Sequence, residues 1–366
     1  MGMSSSSTTN DAILHVVAYD LARGAEKHAR ALVDELNRDE RRHQILTLFA
    51  AEPGALQPDH SLDVPRGALR RLGFDPRVVF RLRRLAKARP PAAIVAHGGE
   101  PAKYLAVAFG RRIPWVYLTI GSFHPRLASP IRRWMHDYYT SRADRIVAVS
   151  TELAEEMRQM HGVASSRVSV IQNGRNVDEF TPATARPKNR RPQLIFVGHL
   201  DTGKRPDWFI DVVGEMRERG LDLSAIMVGD GPLKARLGPA AERAGVVMMG
   251  ERSDVPGLMA ESDLLVLTSQ PPEGMPGVLI EAGLTGLPVV STRVPGASDV
   301  VEDGVTGLLV GVDDRVALAE AVQHLVSSPT LRVEMGSAAR LRCVDRFSMK
   351  ASAARWAILL AEVAAR

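Results

Sequence analysis

Short apolar runs alternate with segments of helical periodicity along most of the chain. Residues 12–19 read AILHVVAY, and residues 24–39 then place apolar side chains at helical spacing. Later β-branched runs mostly end in Gly, Ser or Asn, which is typical of strands that lead into loops. Strands that alternate with helices predict parallel sheets covered by helices on both faces.

The alternation is interrupted at residues 180–193, where FTPATARPKNRRPQ holds three prolines and four basic residues, as a linker would. A second series of strands and helices follows. Two series predict two doubly wound, Rossmann-like α/β domains, and ligands of such sheets bind at the carboxyl ends of the strands. We expect a disordered tail over 1–11, domains over 12–185 and 186–347, and an apolar-striped helix over 348–366.

Composition narrows the class of protein. The chain has 366 residues and one cysteine, Cys343, so an intramolecular disulfide is excluded and a reducing compartment fits. No apolar run is long enough to span a bilayer. Residues 1–190 carry a net charge of +10 and residues 191–366 a net charge of −5, which supports a domain boundary near the middle.

Residues 66–90 concentrate positive charge, with nine basic residues and one acid among interleaved Leu, Phe and Val. This pattern suits contact with an anionic membrane surface or attraction of a phosphorylated acceptor. A solvated helix face is the alternative interpretation. Nucleic-acid binding is not expected, because no recognition motif or stacking aromatics accompany the charge.

The stretch PPEGMPGVLIEAGL, residues 271–284, places two carboxylates around a helix start. Pro276 suits the first turn of a helix, and the amides from Gly277 to Leu279 then lack internal partners and form an anion site. Glu273 lies before the helix and Glu281 about one turn into it. This layout suits a nucleotide-sugar, with a diphosphate between two hydroxyl-rich groups. A capping acid and a solvated surface acid are the alternative.

The histidines offer one further candidate site. His97 ends a predicted strand ahead of Gly98, Gly99 and Glu100, a position suited to an acceptor site, although a capping or loop-packing histidine is the alternative. Four others lie on helix or surface patterns and are interpreted as structural: His28, His43, His161 and His324. No cluster of His, Cys and Asp shows metal-ligand spacing, so no metal site is expected.

EGMPGVLIEA resembles the Glu-x7-Glu motif of the family 4 glycosyltransferases, the retaining group with the GT-B fold. LIFVGHLDTGKRPDWFI, VGDGPLKARL and PVVSTRVPGASDVVEDGVTGLLV are similar to further C-terminal segments of that family, in order. ILHVVAYDLARGAEKHARAL resembles its opening strand, loop and helix. The resemblance implies two Rossmann-like domains facing across a cleft, an N-terminal acceptor domain, a C-terminal donor domain, and a final helix that crosses back to the first domain.

The resemblance also implies roles for individual residues. Glu273 and Lys204 are expected to be catalytic, with Glu273 on the transferred sugar and Lys204 on the departing diphosphate. Glu281 is expected to bind the ribose hydroxyls. The remaining expected donor-binding residues are Gly24, Gly198, Arg205, Arg252, Gly277, Val278 and Leu279, and for Arg205 a solvated surface arginine is the alternative.

The chain departs from the family pattern after the predicted strand IPWVYLTIG, residues 113–121. Many members carry a histidine there, whereas this chain reads Ile120-Gly121-Ser122, and His124 does not substitute by spacing. Ser122 joins the expected acceptor site with His97, Gly98, Gly99 and Glu100. The departure bears on acceptor chemistry and leaves the donor site intact.

We therefore expect a retaining glycosyltransferase without cofactor or metal, which uses a UDP- or GDP-linked sugar and acts on a sugar, a lipid-linked sugar or a small molecule. The expected location is cytoplasmic, with peripheral contact at the inner membrane surface through residues 66–90. One rival is a glycosidase that uses Glu273 and Glu281 as acid and nucleophile. Another is a non-catalytic nucleotide-binding protein or partner subunit. A dinucleotide oxidoreductase is disfavoured, because no Gly-x-Gly-x-x-Gly follows the first strand.

Overall fold

The computed structural model describes residues 11–19, 24–38, 42–50, 57–65, 73–122, 129–183 and 191–365. The expected tail therefore lies outside the described residues except for Asp11, and so do residues 184–190 of the expected linker. Within the described ranges no helix is both long and apolar enough to cross a bilayer.

The chain folds into two units. The first comprises residues up to Val149, Leu153–Gln172 and Ser352–Arg366, and the second comprises Ser150–Glu152 and Asn173–Ala351. The second unit thus starts earlier than the expected boundary at 185. The reason is backbone pairing around Arg175, whose N–H donates to the Phe347 carbonyl at 2.9 Å and whose carbonyl accepts from the Met349 N–H at 2.8 Å.

The first unit contains seven strands in the order β3-β2-β1-β4-β5-β6-β7, and every neighbouring pair is parallel. The strands are β1 Ile13–Val17, β2 His43–Phe49, β3 His60–Val64, β4 Ala93–His97, β5 Trp115–Thr119, β6 Arg145–Ala148 and β7 Val168–Val170. The helices are α1 Gly24–Leu36, α2 Pro76–Ala88, α3 Gly99–Ala108, α4 Pro130–Arg142 and α5 Thr151–Gln159, followed by a short 3₁₀ turn, Ser165–Arg167. Strands β1, β4 and β5 are buried along their whole length, as expected for a sheet with helices on both faces.

The second unit contains six parallel strands in the order β10-β9-β8-β11-β12-β13. The strands are β8 Gln193–Val197, β9 Ser224–Val228, β10 Val246–Gly250, β11 Leu264–Leu267, β12 Val289–Thr292 and β13 Gly307–Val310. The helices are α6 Pro206–Glu218, α7 Lys234–Ala244, α8 Val255–Glu261, α9 Gly277–Leu284, α10 Ala297–Val300, α11 Arg315–Val326 and α12 Pro329–Phe347. Phe196, Phe209 and Met227 lie in its fully buried core. The strand order reverses between β1 and β4 in the first sheet and between β8 and β11 in the second. This confirms the predicted doubly wound α/β class.

The last helix, α13 Met349–Ala364, leaves the second unit and completes the first. Trp356, Leu360 and Val363 on this helix are at most 1% exposed. The Ser352 hydroxyl donates to the Gln172 carbonyl at 2.9 Å, and Arg355 Nη1 donates to the Gln172 side chain at 2.7 Å. The apolar stripe seen in the sequence is therefore a core face of the first unit.

Candidate functional site

The second sheet reverses its order between β8 and β11, and the loops after these two strands carry the most informative side chains. The loop after β8 contains Lys204, and the loop after β11 contains Glu273. At such a switch point the connections after the two strands run in opposite directions. This leaves a crevice at the carboxyl ends of the strands, where α/β sheets bind ligands. The fold thus brings Lys204 and Glu273 together although they are 69 positions apart.

Lys204 and Glu273 form a close ion pair. Lys204 Nζ lies 2.6 Å from Glu273 Oε2 and 2.9 Å from Oε1, so one ammonium faces both carboxylate oxygens. The side chains are 26% and 17% exposed, which leaves both partly accessible to a ligand. The pair offers a positive and a negative group side by side at the crevice.

Hydrogen bonds to backbone groups hold the two loops in place. The Thr268 hydroxyl donates to the carbonyl of Lys204 at 2.7 Å, and the Gln270 N–H donates to the carbonyl of Gly203 at 2.8 Å. The Lys204 N–H donates to Asp201 Oδ1 at 3.0 Å. The lysine therefore projects from a braced turn and not from a loose loop, which reduces the entropy lost on ligand binding.

Helix α9 begins at Gly277, and Pro276 is its N-cap residue, one position before the first turn in which the sequence analysis placed it. The expectation that three amides are available to an anion is wrong for Leu279, because its N–H donates to the Pro276 carbonyl at 3.1 Å. This short-range bond tightens the first turn. Gly277 and Val278 remain as the candidate amide donors, and both residues are partly exposed.

Glu281 is held by a residue that the sequence analysis did not single out. Arg175 Nε donates to Glu281 Oε1 at 2.7 Å, and Nη1 donates to the Gly174 carbonyl at 3.1 Å. A Cβ added at Gly277 would lie 1.8 Å from Arg175 Nη2, so this guanidinium occupies the space beside the start of α9. The arginine places positive charge next to a helix N-terminus that already favours anions.

Gly198 follows β8 directly and lies close to the loop after β9, which contains Gly229 and Gly231. Its own Cβ would meet nothing closer than Phe196 at 3.5 Å, an ordinary contact that leaves the position open to a ligand. By contrast, a Cβ at Gly229 would lie 1.9 Å from the Gly198 carbonyl oxygen, and one at Gly231 would lie 2.6 Å from that of Leu200. Close backbone packing thus requires glycine at 229 and 231.

Arg205 has its guanidinium engaged by the protein. Nη1 donates to the Val312 carbonyl at 2.7 Å, Nη2 donates to Asp313 Oδ1 at 2.8 Å, and the group lies 4.6 Å from the Trp208 ring centroid. The residue also takes the left-handed conformation, φ 46°, just before α6. These contacts favour a role in shaping the loop.

The remaining two expected donor-binding residues lie in different settings. Arg252 follows β10 at the same sheet edge, where Nη2 pairs with Asp254 Oδ2 at 2.6 Å on the exposed surface. Gly24 begins α1 in the first unit, and the loop before it, residues 20–23, lies outside the described residues.

His97, an expected acceptor residue, belongs to a chain of three buried imidazoles. His15 Nδ1 lies 3.1 Å from His97 Nε2, and His15 Nε2 lies 3.1 Å from His43 Nδ1. The rings come from neighbouring strands β4, β1 and β2, and none of the three residues is more than 5% exposed. Burial lowers the pKa of His97 and of His43 to about 4. His43 is thus a strand residue inside the sheet, and His97 is less open than an acceptor site requires.

The residues after His97 begin helix α3. Gly98 is its N-cap with φ 93°, and its N–H donates to the Leu118 carbonyl at 3.0 Å. A Cβ at Gly99 would lie 3.0 Å from the Tyr139 hydroxyl. Glu100 pairs with Lys103 at 2.7 Å, and Lys103 Nζ also donates to the Gly73 carbonyl at 2.6 Å. Glu100 therefore has a structural partner within its own helix.

Ser122 lies after β5, and its hydroxyl donates to Glu156 Oε2 at 2.6 Å. His124, which the sequence analysis set aside, lies outside the described residues. In the described part of the chain, one group of side chains lies close enough together to hold a metal ion. It consists of His136, Asp137 and His161, in the first unit. Glu156 lies next to this group, 4.0 Å from His161 Nε2.

The chain is similar to known families over most of its length. A sequence model described as Glycosyl transferases group 1 matches residues 191–328, and one described as Glycosyltransferase Family 4 matches residues 22–179. The two matches follow the second and the first unit closely.

Curated relatives share moderate identity. An alpha-D-kanosaminyltransferase of Streptomyces kanamyceticus is 25% identical over 254 residues, which are 65% of each chain. A GDP-mannose-dependent alpha-(1-6)-phosphatidylinositol monomannoside mannosyltransferase of Mycolicibacterium smegmatis is 28% identical over 70% of each chain. A UDP-Gal:alpha-D-GlcNAc-diphosphoundecaprenol alpha-1,3-galactosyltransferase of Escherichia coli is 26% identical over 60% of each. The matched segments span 60–70% of the length of these three relatives.

Solved structures share the fold. HepE of Anabaena in complex with UDP has a TM-score of 0.81 at 23% identity and covers 96% of this chain and 100% of its own. Sucrose-phosphate synthase of Thermosynechococcus elongatus has a TM-score of 0.81 at 17% identity, over 97% of this chain and 99% of its own. These likenesses confirm the expected GT-B fold class. The two sequence models, which match residues 22–179 and 191–328, show that the chain belongs to the group 1, family 4 glycosyltransferases.

Proposed function

We propose that the protein transfers a sugar from a nucleoside diphosphate sugar to an acceptor hydroxyl, with retention of anomeric configuration. The observation that carries this proposal is the Lys204–Glu273 pair at the switch point of the second sheet. The start of α9 and Glu281 belong to the same sheet edge. Cation, amide donors and two carboxylates together suit a diphosphate flanked by two hydroxyl-rich groups.

The proposed role of Lys204 and of the amides at the start of α9 is to stabilise the departing diphosphate. The bond between the anomeric carbon and the diphosphate oxygen breaks, and its electron pair leaves with that oxygen. Lys204 and the amides of Gly277 and Val278 stabilise the charge that develops there. The acceptor oxygen forms the new glycosidic bond on the same face of the sugar, and its proton passes to the departing diphosphate, so atoms and charge balance.

The carboxylates divide the work between sugar and nucleoside. Glu273, held by Lys204, accepts hydrogen bonds from hydroxyls of the transferred sugar. Glu281 uses Oε1 for Arg175, which leaves Oε2 for a ribose hydroxyl. The start of α9, which suits a phosphate group, argues against the glycosidase rival, and nucleotide binding discriminates between the two.

The donor base and the acceptor follow from the relatives as proposals. The names of the relatives include both a UDP-galactose and a GDP-mannose enzyme, so we propose a UDP- or GDP-linked sugar and no further cofactor. Acceptors in the same names include a diphosphoundecaprenol-linked sugar and a phosphatidylinositol mannoside. We therefore propose a sugar or lipid-linked sugar as the acceptor, with a small molecule as the other class to test.

A lipid-linked acceptor would place the protein at the cytoplasmic face of a membrane. Of the basic segment 66–90, residues 66–72 lie outside the described residues, and α2 forms most of the rest. On α2, Phe80 is 68% exposed, and Arg77 and Arg84 are exposed near it. An apolar ring among cations suits an anionic lipid surface. Sedimentation with vesicles of anionic lipid, compared with vesicles of zwitterionic lipid and with Phe80→Glu, tests this contact.

The test of the proposed function is nucleotide and donor recognition by the purified chain. Calorimetry with UDP and GDP should show one binding site, and a panel of UDP- and GDP-sugars should reveal a donor whose diphosphate is released on addition of acceptor. Nuclear magnetic resonance of the product reports the anomeric configuration. Nucleotide binding without diphosphate release from any donor would favour the non-catalytic rival, and absence of nucleotide binding would overturn the proposal.

A further inference from the structure

Two buried histidines and an aspartate converge in the first unit, whereas the residues of the proposed donor site belong to the second. His136 and Asp137 lie on α4, and His161 follows α5. One ligand-capable atom from each lies within 4.8 Å of the other two. From this geometry we propose that the three side chains bind a divalent transition-metal ion, with zinc as the probe of choice.

The distances between the three ligand-capable atoms are equal to or only slightly longer than those between the ligand atoms of a bound metal ion. His161 Nδ1 lies 3.3 Å from Asp137 Oδ1, and His136 Nδ1 lies 4.0 Å from the same oxygen. Tetrahedral zinc with bonds of about 2.0–2.2 Å places neighbouring ligand atoms roughly 3.3–3.5 Å apart. One edge of the triangle already has this length, and the others need less than about 1.5 Å of adjustment, which side-chain rotation supplies.

The local fold fixes the two histidines. Helix α5 ends in a turn in which Gly162 takes a φ of 62° and the Val163 N–H donates to the Met157 carbonyl at 3.1 Å, so His161 is directed inward. The His136 and His161 rings lie 4.2 Å apart between centroids, and each side chain is 1% exposed. Asp137 is 49% exposed and provides the route for an ion and for a water molecule in the fourth position.

A second carboxylate, that of Glu156, lies near the other ring nitrogen of His161. Glu156 Oε1 lies 4.0 Å from His161 Nε2, the ring nitrogen that faces away from Asp137. Histidines that bind a metal through one nitrogen commonly direct the other toward a carboxylate, which fixes the tautomer and strengthens the ligand. Asp137 and Glu156 together also balance the double positive charge of the ion.

The ligand types select the class of ion. Two imidazoles and one carboxylate suit zinc, cobalt or nickel, whereas calcium and magnesium require oxygen ligands. Because Glu156 also accepts the Ser122 hydroxyl at 2.6 Å, a bound ion would support Ser122 through His161 and Glu156. The proposed role is structural: the ion holds α4 and the end of α5 together.

The test uses untagged full-length protein that has been treated with a chelator and dialysed. Calorimetry with zinc chloride should show one saturable site, and cobalt chloride should produce visible absorption bands of a tetrahedral complex. Asp137→Asn and His161→Gln should each weaken zinc binding by about tenfold or more, whereas His324→Gln, at an exposed helix position, should bind as wild type. Asp137 is at the surface, so Asp137→Asn tests the site even if the buried variant fails to fold.

A second readout is thermal unfolding with and without zinc. Zinc should raise the Tm of the wild type and of His324→Gln by mass action and leave that of Asp137→Asn nearly unchanged. Absence of a saturable one-to-one site in the wild type, or equal zinc binding by wild type and Asp137→Asn, would overturn the proposal. The three residues would then be a hydrogen-bonded cluster that packs α4 against the end of α5.

Discussion

Arg175 Nε donates to Glu281 Oε1 at 2.7 Å, and the two residues are 106 positions apart in the sequence. Their side chains are 21% and 19% exposed, so solvent screens the pair only in part. The contact fixes the orientation of the carboxylate that we assign to the ribose. Arg175 is therefore a positioning residue for the proposed donor site.

We expect Arg175→Met to weaken binding of the preferred nucleotide by about tenfold, because a charge-assisted hydrogen bond of this kind contributes about 1.5–3 kcal/mol and part of it is retained through rotation of Glu281. Calorimetry with UDP and GDP measures the change. The matched control is Arg219→Met, whose guanidinium pairs with Glu215 at the far end of α6. Equal nucleotide affinity in wild type and Arg175→Met would remove the positioning role.

Gly277→Ala tests the same contact from the other side. Its Cβ would overlap Arg175 Nη2, the flexible end of a long side chain, so the arginine must move and release Glu281. We expect a loss of nucleotide affinity in the wild-type background and a smaller loss in the Arg175→Met background. A double-mutant cycle measures this coupling, and strictly additive losses would contradict it.

The Lys204–Glu273 pair leads to a prediction about turnover. Lys204→Ala should reduce kcat by about 10²–10³-fold, as expected when a donor to developing negative charge is removed, and Glu273→Gln should also reduce kcat. Diphosphate release from the preferred donor is the measurement. Lys350→Ala, at an exposed position on α13, is the control and should keep wild-type turnover. Unchanged turnover in both site variants would exclude these roles.

The packing of the loops beside Gly198 leads to a prediction about stability. Gly229→Ala would place a methyl group 1.9 Å from the Gly198 carbonyl oxygen at a residue with φ 139°, so we expect a loss on the order of 2 kcal/mol or more. Gly238→Ala, inside α7 with nothing within 4 Å of the added Cβ, should instead stabilise the protein by about 0.5–1 kcal/mol. Urea unfolding compares the two, and similar stabilities would show that the loop relaxes.

The imidazole chain leads to a prediction about pH. Burial lowers the pKa of His97 and of His43 to about 4, and burial together with the neighbouring histidines lowers the pKa of His15 well below its ordinary value. Since histidine titrates near 6.5 in an unfolded chain, the unfolded state binds more protons between about pH 4 and 6.5. The free energy of unfolding should therefore be highest above pH 6.5 and fall as the pH is lowered toward 4.

Urea unfolding at several pH values measures this slope. Each buried histidine adds up to about 1.4 kcal/mol per pH unit to the slope of the free energy of unfolding against pH. His43→Gln removes one such group, so it should reduce the slope by up to about that amount. His324→Gln, at an exposed position, should leave the slope unchanged. An equal slope in wild type and His43→Gln would show that His43 is charged in the folded protein.

Periodicity predicted the fold well, because strands of a parallel sheet are buried on both faces and give continuous apolar runs. Lys204 was singled out by the family resemblance and Glu273 by its place before a helix start, and the strand order explains why the two side chains meet. Arg175 was missed because its partner is distant in sequence, and the only local signal is a charged residue directly after Gly174, beyond a strand. His43 was misread as a helix or surface residue, although it begins β2, because a lone histidine does not reveal which strands lie beside it.

The last helix has a consequence for how the protein is made. Trp356, Leu360 and Val363 are core residues of the first unit, yet they follow the whole of the second unit in the sequence. The core of the first unit is therefore completed only after the entire second unit has been synthesised. A stop codon that removes α13 should damage the unit farthest from it in sequence, and residues 1–172 expressed alone should expose an apolar face that binds chaperones.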